Sequence, residues 1–208
     1  MRYALDRKAQ THQRIVKEAS VRFRRDGIGA TGLQPLMKSL GLTHGGFYAH
    51  FKSKDDLVDQ ALRQSVDEAK VCTQEMFNGP DSLNTFIDVY LSETHRDDPG
   101  TGCPLPNMCA ELGQQNRPSP LTDEIIVHLL ETFDNALHIE NPEPKSMLVL
   151  SSLVGALILS RSAHDPQLSE HILKVTREYV KLHISQHDAV AVAAPKPLPL
   201  TDDATLHS

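Results

Sequence analysis

One segment, LTHGGFYAHFKSKDDL from Leu42 to Leu57, carries side chains suited to holding an anion. Thr43 is a typical N-cap residue, and the free N–H groups of the helical turn that would follow it suit a phosphate. This arrangement predicts noncovalent recognition of a nucleic-acid backbone rather than the making or breaking of bonds. The polar side chains that could contact such a backbone follow the turn: Tyr48, His50, Lys52 and Lys54.

The same segment opens with Gly45-Gly46, although each glycine costs a helix about 1 kcal/mol relative to alanine. With Phe47 at the centre of the buried face and 100° per residue, Gly45 and Ala49 point almost directly away from the core. The exposed face then carries few side chains, which allows the backbone to approach a ligand closely. The alternative is a small helical core with no ligand, because short helix pairs are common.

Cysteines and histidines are the other candidates for chemistry. Cys103 precedes Pro104, so we expect it at a helix N-terminus and interpret it as a small cap or pocket-lining residue; the alternative is a reactive thiolate, which the helix dipole would favour there. Among the eleven histidines, only His183 and His187 have helical ligand spacing, and no third ligand is suggested. The sequence also lacks a paired nucleophile and base or a glycine-rich phosphate loop. We therefore expect no metal, no cofactor and no enzymatic activity.

Charge is divided unevenly along the chain. Residues 1–63 contain 12 Lys/Arg against 6 Asp/Glu, whereas the rest contains 9 against 21, within a formal net charge of −6. A basic N-terminal block on an acidic body is typical of a polyanion-binding head. The N-terminus has no apolar stretch of a signal peptide, and the longest apolar run, residues 147–160, is too short and serine-rich to span a bilayer. Three cysteines are too few for a disulfide framework, which indicates a reducing compartment. Together these features predict a cytoplasmic protein without membrane contact.

Helical periodicity pervades the chain and strand signals are nearly absent, so we predict an all-α fold of about nine helices. The first helix is expected over residues 6–26 and a short second one over GLQPLMKSLG. The glycine-containing segment forms the third, and a fourth is expected over residues 53–77. Two short helices around Gly41, following a longer one in a basic block, form the pattern of a helix-turn-helix.

The second half of the chain predicts five further helices. The eighth, KSMLVLSSLVGALILSRSA, is apolar nearly all round and is expected to be buried on most sides. We predict a helix-turn-helix DNA-binding domain over residues 1–52, a helical effector-binding and dimerisation domain over 53–187, and a disordered Pro/Ala-rich tail over 188–208. The other four predicted helices are SLNTFIDVYLSETH, CPLPNMCAELGQQ, LTDEIIVHLLETFDNALH and SEHILKVTREYVKLHI.

The stretch GATGLQPLMKSLGLTHGGFYAHFKSKDDL resembles the DNA-binding domain of TetR-family, AcrR-like transcriptional regulators. The match lies in the Gly-Leu-Thr turn and the Gly-x-Phe-Tyr-x-His-Phe-x-Ser-Lys recognition helix, and it covers about residues 8–60. The resemblance implies a homodimeric repressor that binds a palindromic operator in double-stranded DNA and is released by a small-molecule effector. It also implies DNA contacts, to which the charge pattern adds Lys52: Gln34, Thr43, His44, Gly45, Gly46, Tyr48, His50 and Lys54.

An effector pocket is expected between the fifth and eighth helices, and a dimer interface on the eighth and ninth. Small residues on the eighth helix would allow close helix contact, although packing within one chain could cover half of that surface. The pocket candidates, chosen for inward phase and mixed polarity, are Phe86, Tyr90, Cys103, Met108, Phe133, Met147 and Ser151. The interface candidates are Ser152, Gly155, Ala156, Val175, Tyr179 and Leu182.

The Gly-Cys-x-x stretch around Cys103, ahead of Ala-Glu-Leu, is similar to the NemR branch of the same family. In that branch the matching cysteine senses electrophiles and oxidants. The similarity implies an alternative function for the same fold, a thiol-based sensor acting through Cys103. A purely structural Cys103 stays open beside it.

Overall fold

The structure, a computed structural model, describes the backbone of residues 2–186 and the side chains of residues 7–186. Its regular structure over that range is helical, which confirms the all-α prediction. His187 and the tail predicted to be disordered lie outside the described residues. The α-helices are α1 (Arg2–Asp26), α2 (Leu33–Ser39), α3 (Lys54–Met76), α4 (Ser82–Tyr90), α5 (Glu93–Asp97), α6 (Ala110–Gln114), α7 (Pro120–Leu137), α8 (Glu143–Ser162) and α9 (Pro166–Ser185).

The N-terminal helices share a core built along one face of α1. Ile15, Ala19 and Phe23 recur at helical spacing on that face and are fully buried. Phe47 and Phe51 stack with ring centroids 5.2 Å apart, and both are buried in the same core. The two aromatic rings therefore fix the glycine-containing segment to α1 and α3.

The glycine-containing segment is a six-residue 3₁₀ helix, His44–Ala49, rather than the predicted α-helix. Thr43 is its N-cap, as expected, and its Oγ1 accepts a hydrogen bond from Gly46 N at 3.2 Å. Two glycines lower the α-helical propensity of a segment already too short to offset the cost of nucleation. The tighter helix is the outcome.

Two predicted helices are divided in the structure. The predicted fifth helix ends at Tyr90, because Ser92 caps a separate α5 by accepting a hydrogen bond from His95 N. The predicted sixth helix begins as a π-helical turn, Leu105–Cys109, and continues as α6. Its two prolines lack backbone donors, so the regular α-helical ladder is already interrupted there.

Helix α8 is less buried than its sequence predicts. It packs against α7 and α9, yet only 44% of the residues in its most apolar 18-residue stretch are buried. With 20 residues and a mean hydropathy of 1.3, it is long and apolar enough to cross a membrane, a test that core helices of soluble proteins also pass. The prediction that it is buried on most sides is therefore wrong. Its large exposed apolar side chains are Met147, Leu148, Ile158 and Leu159.

Candidate nucleic-acid interface and internal cavity

The 3₁₀ helix presents a nearly bare surface beside its buried aromatic rings. Phe47 is fully buried, whereas Gly45 and Ala49 are exposed, as the helical phase predicts. A Cβ atom built on Gly45 has no non-local neighbour within 4 Å, so packing does not require glycine there. Gly46 is half-buried, and its Cβ would lie 3.4 Å from Thr43 Oγ1. The open position of Gly45 leaves room for the backbone of the protein to approach a ligand.

Most of the predicted polar contacts lie on this exposed surface. The rings of His44 and Tyr48 meet edge to face at 6.1 Å, and the Tyr48 side chain is 62% exposed. Thr43 is exposed as well. The neighbouring elements contribute the exposed side chains of Gln34 and Lys52.

Two predicted contacts have other partners or are partly buried. The Lys54 ammonium donates a hydrogen bond to Ile28 O in the turn between α1 and α2. His50 is half-buried beside His12, and burial lowers its pKa, so its neutral form is favoured. Its buried Nδ1 has no hydrogen-bond partner among the described residues. Neither side chain is fully available on the open face.

A carboxylate from α6 secures the turn between α1 and α2. Glu111 accepts hydrogen bonds from Ile28 N at 2.6 Å and from Gly29 N at 2.7 Å. Gly27, at φ +90°, begins this turn, and a Cβ there would lie 3.1 Å from Glu111 Oε2. Sequence reasoning missed Glu111, because no local pattern links a residue to a turn 82 positions away.

Arg24 on α1 connects the N-terminal helices to the rest of the molecule. Its side chain is 2% exposed, and its Nη2 lies 2.8 Å from Glu68 Oε2 on α3. Its Nη1 donates to Gly102 O at 3.1 Å, and its Nε donates to Ser20 O. The amide of Asn107 donates to the Arg24 carbonyl. A displacement of either Glu68 or Gly102 would therefore change a hydrogen bond that holds α1 in place.

A cavity of about 470 Å³ lies between α3, α4, α5 and α7, bounded by the loop before the π-helical turn. Three predicted pocket residues, Phe86, Tyr90 and Cys103, line it. Its remaining wall residues were missed, because helical periodicity identifies an inward face but not which part of that face borders empty space. They are Glu68, Ala69, Cys72, Thr73, Met76, Val89, Ser92, Thr94, His95, Asp98, Thr101, Gly102, Ile125 and Leu129.

The other predicted pocket residues lie elsewhere. Met108 and Phe133 are fully buried in the core and do not line the cavity. Met147 and Ser151 lie on the exposed side of α8. Because α8 is apolar nearly all round, its sequence has no polar face to mark the side exposed to solvent. The sequence therefore could not distinguish its inward-facing residues from its outward-facing ones. The structure corrects the prediction at these four positions.

Tyr90, His95 and Cys103 are joined at the inner end of the cavity. His95 Nδ1 lies 2.7 Å from Tyr90 O, and Cys103 N donates to His95 Nε2 at 3.2 Å. The second bond requires an accepting Nε2, so the proton of the neutral ring is on Nδ1. Burial lowers the pKa of His95, which favours that neutral form. Gly102 allows this approach, because a Cβ there would lie 2.4 Å from His95 Nε2.

The alternative of a thiolate at Cys103 is not favoured. Burial raises the pKa of Cys103, and the residue's backbone N–H is already used by His95. Burial also raises the pKa of Cys109, to about 11, and that of Cys72. Cys72 is exposed and lines the cavity. At Cys103, burial outweighs the groups that lower the pKa of the thiol, which include the backbone N–H of Leu105 and the charge of Arg24.

An apolar face extends along α8 and α9. Leu148 and Leu159 lie eleven positions apart on one side of α8 and are 50% and 59% exposed. On α9, Tyr179 is 67% exposed and Leu182 is 50% exposed. Ser152, Val175 and Tyr179, three of the predicted interface residues, line a groove between the two helices. Gly155 is half-buried, but Ala156 is only 5% exposed and packs inside the protomer, which corrects its predicted place in the interface.

Residues 13–61 match the family described as bacterial regulatory proteins, tetR family. These residues, which include the helix-turn-helix, are those of a TetR-family N-terminal domain. An uncharacterized HTH-type transcriptional regulator of Mycobacterium tuberculosis is 22% identical over 166 residues, covering 74% of this chain and 85% of the relative. The HTH-type transcriptional regulator AcrR of Shigella flexneri is 31% identical over 85 residues, which cover 39% of each chain.

Solved structures of TetR-family regulators share the fold. A regulator from Chloroflexus aurantiacus has a TM-score of 0.69 at 22% identity, covering 85% of this chain and 96% of its own. The reduced form of NemR from E. coli also has a TM-score of 0.69, at 17% identity over 83% of this chain and 96% of its own. The chain is therefore a DNA-binding transcriptional regulator with an N-terminal helix-turn-helix of the TetR type, and the expectation that it is not an enzyme agrees with its relatives.

Proposed function

We propose that the chain is a homodimeric, cytoplasmic repressor that leaves a palindromic operator when a small molecule occupies the cavity. The observation that carries the proposal is the position of Arg24. The two partners of its guanidinium outside α1, Glu68 and Gly102, both belong to the cavity wall. A ligand in the cavity would touch residues that hold the DNA-binding helices in place.

DNA recognition is assigned to the open surface of the 3₁₀ helix and its neighbours. The bare backbone at Gly45 fits against the groove, and the surrounding polar groups hold phosphates and base edges. His50 and Lys54 join them after a local change of partner, because a lysine ammonium has three donors and only one is used on Ile28. The proposed contacts are Gln34, Thr43, His44, Gly45, Gly46, Tyr48, His50, Lys52 and Lys54.

Dimerisation is assigned to the apolar face of α8 and α9. Large apolar side chains such as Leu159 and Tyr179 are more than half exposed, and a contiguous face of this kind marks an interaction site. A two-fold dimer would present two recognition segments about 34 Å apart, one turn of DNA. The proposed division of the chain follows: residues 1–52 bind DNA, and residues 53–187 bind the effector and the second protomer.

Thiol sensing is not part of this proposal. Burial raises the pKa of both cysteines that line the cavity, Cys72 and Cys103, and a sensor needs an accessible thiolate. An effector held noncovalently fits the described cavity better.

Selection of random-sequence DNA duplexes by the full chain tests the proposal. We expect one palindromic sequence to be enriched, with two half-sites about one helical turn apart and binding that weakens steeply as salt rises. Binding without sequence preference would contradict the assignment of a specific operator. A single, non-repeated half-site protected by one protomer would contradict the dimeric arrangement.

A further inference from the structure

We propose that the effector is an organic cation with an apolar, aromatic body, and that Glu68 holds its positive charge. This inference rests on the proposed function, which makes the cavity the effector site. It names the chemical class of the ligand and the side chain through which that class reaches the DNA-binding helices.

The charged groups of the cavity wall are acidic. Glu68 and Asp98 both line it, and none of the described lining residues is a lysine or an arginine. The Glu68 side chain is 36% exposed, whereas that of its partner Arg24 is 2% exposed, so a ligand meets the carboxylate and not the guanidinium. Arg161, the other guanidinium nearby, is outside the lining and donates to the carbonyls of His95 and Arg96.

The uncharged polar groups of the wall also suit a cation. Tyr90 is 4% exposed and lines the cavity, where its hydroxyl lies beside the Cys103 thiol. A phenol oxygen can accept a hydrogen bond or face a positive charge. Both nitrogens of His95 are engaged in its neutral form, so this ring adds no positive charge to the site. An anion would find hydroxyl donors in the wall, but it would also face two carboxylates and no lysine or arginine among the described lining residues, at a cost in desolvation.

The rest of the wall selects an apolar, aromatic body. The rings of Phe86 and Tyr90 lie with centroids 5.5 Å apart, and aromatic faces attract a desolvated cation. Met76, Ile125 and Leu129 complete an apolar lining. The volume of about 470 Å³ falls within the range of about 300–1,000 Å³ that holds drug-sized molecules.

Glu68 can respond to such a ligand because its two oxygens have different partners. Oε2 accepts from Arg24 at 2.8 Å, while Oε1 accepts from the neutral amide of Gln64 at 3.0 Å. A cation that replaced the Gln64 amide would share the carboxylate's charge and weaken its attraction to Arg24. Arg24 also holds Gly102, so α1 would be loosened from both sides of the cavity. An uncharged donor could replace the Gln64 amide, but it would bring no charge to weaken the attraction between Glu68 and Arg24.

A pair of probes with the same shape and opposite charge tests this proposal. Tetraphenylphosphonium and tetraphenylborate are titrated calorimetrically into the full chain, which has no tryptophan for fluorescence. We expect the cation to bind at least tenfold more tightly than the anion, and Glu68→Gln to remove that preference. Glu75→Gln, on the same helix but outside the cavity lining, removes the same charge and should keep the preference.

Three results would overturn the proposal: equal or tighter binding of the anion, a preference that survives Glu68→Gln, or no binding of either probe. If Glu68→Gln does not fold, as judged by thermal unfolding, Asp98→Asn replaces it and should reduce the preference. Operator binding is measured separately on the selected duplex without probe, and the cation alone should then release it. Loss of specific DNA binding in the untreated chain would contradict the proposed function itself, whereas intact DNA binding with no cation preference contradicts only this inference.

Discussion

Gly45 illustrates how a single residue can serve recognition at no cost to packing. Its surroundings are open, so a side chain could be added without a clash inside the protein. Gly27 differs, because its φ of +90° and its contact with Glu111 leave little room for a Cβ. We propose that residue 45 is glycine because the backbone there approaches DNA. Residue 27 is glycine because the turn requires a positive φ.

Replacing Gly45 should therefore separate folding from DNA binding. We expect Gly45→Leu to leave stability unchanged or to raise it by up to about 1 kcal/mol, because glycine is a poor helix former. Operator affinity should fall by about 100-fold or more, equivalent to nearly 3 kcal/mol, because the leucine blocks close approach. Thermal unfolding and a DNA titration measure the two effects. Gly113→Leu, also at an open position but on α6, should leave operator affinity unchanged; equal losses in both variants would contradict the prediction.

His95 makes stability depend on pH. Burial lowers its pKa below 6.5, so the unfolded chain binds this proton more readily than the folded protein. The stabilising effect is complete above pH 6.5 and is lost as the pH falls through the lowered value. We expect the unfolding temperature to drop between pH 7 and pH 5, and to drop less in His95→Gln. His50 and His128, whose pKa values are also lowered by burial, should preserve part of the slope.

A suitable control for this measurement is His171→Gln, at an exposed position on α9. It should leave the pH dependence of wild type unchanged. The lowered pKa of Asp56 acts only in more acidic solution, so it does not contribute in this window. Identical slopes for wild type and His95→Gln would contradict the role given to burial of this ring.

At the scale of elements, the helix-turn-helix is held by side chains from distant helices. Glu111 on α6 binds two N–H groups of the turn before α2, and Lys54 at the start of α3 binds the carbonyl between them. Arg117 adds a surface ion pair to Asp55 at 2.8 Å. The start of α2 is consequently placed by α6 as much as by its own sequence.

Glu111→Gln should weaken both the fold and operator binding. The substitution places an amide donor opposite a backbone N–H and leaves one acceptor oxygen for two donors. We expect a loss of about 1.5–3 kcal/mol in unfolding free energy, the range for hydrogen bonds to charged groups. Urea unfolding and operator titration measure the two effects. Glu131→Gln, exposed on α7, should change neither; a variant at Glu111 with wild-type affinity would show that the turn needs no support from α6.

For the whole molecule, the apolar face of α8 and α9 is the proposed dimer interface. Leu148→Glu should place a charge in the proposed interface and yield monomers in sedimentation experiments. The side chain is half exposed in the protomer, so the fold should survive. Operator affinity should fall by about 100-fold or more with the loss of the second half-site. Val71→Glu, 55% exposed on α3, should remain dimeric; monomeric wild type would contradict the assignment.

The sequence allowed prediction of what short-range patterns determine. Phe47 has the buried face and Thr43 the cap expected of it, because phase and capping depend on residues a few positions apart. The residues of the cavity wall and the contacts of Arg24 could not be predicted, because they depend on residues far apart in the chain. The partners of Arg24 lie 44 to 83 positions away from it. Ala156 and Met147 were misplaced for another reason: a helix that is apolar all round does not reveal which side faces inward.

Helix α3 runs from the turn beside the 3₁₀ helix to the wall of the cavity. Its 23 residues make a rod about 34 Å long. Tilting such a rod by about 5° at one end displaces the other by about 3 Å, close to the spacing of successive bases along a DNA strand, roughly 3.4 Å. In the proposed mechanism, a ligand that tilts the cavity end of α3 by this angle would displace the recognition surface by about one base, and its contacts with the operator would no longer match.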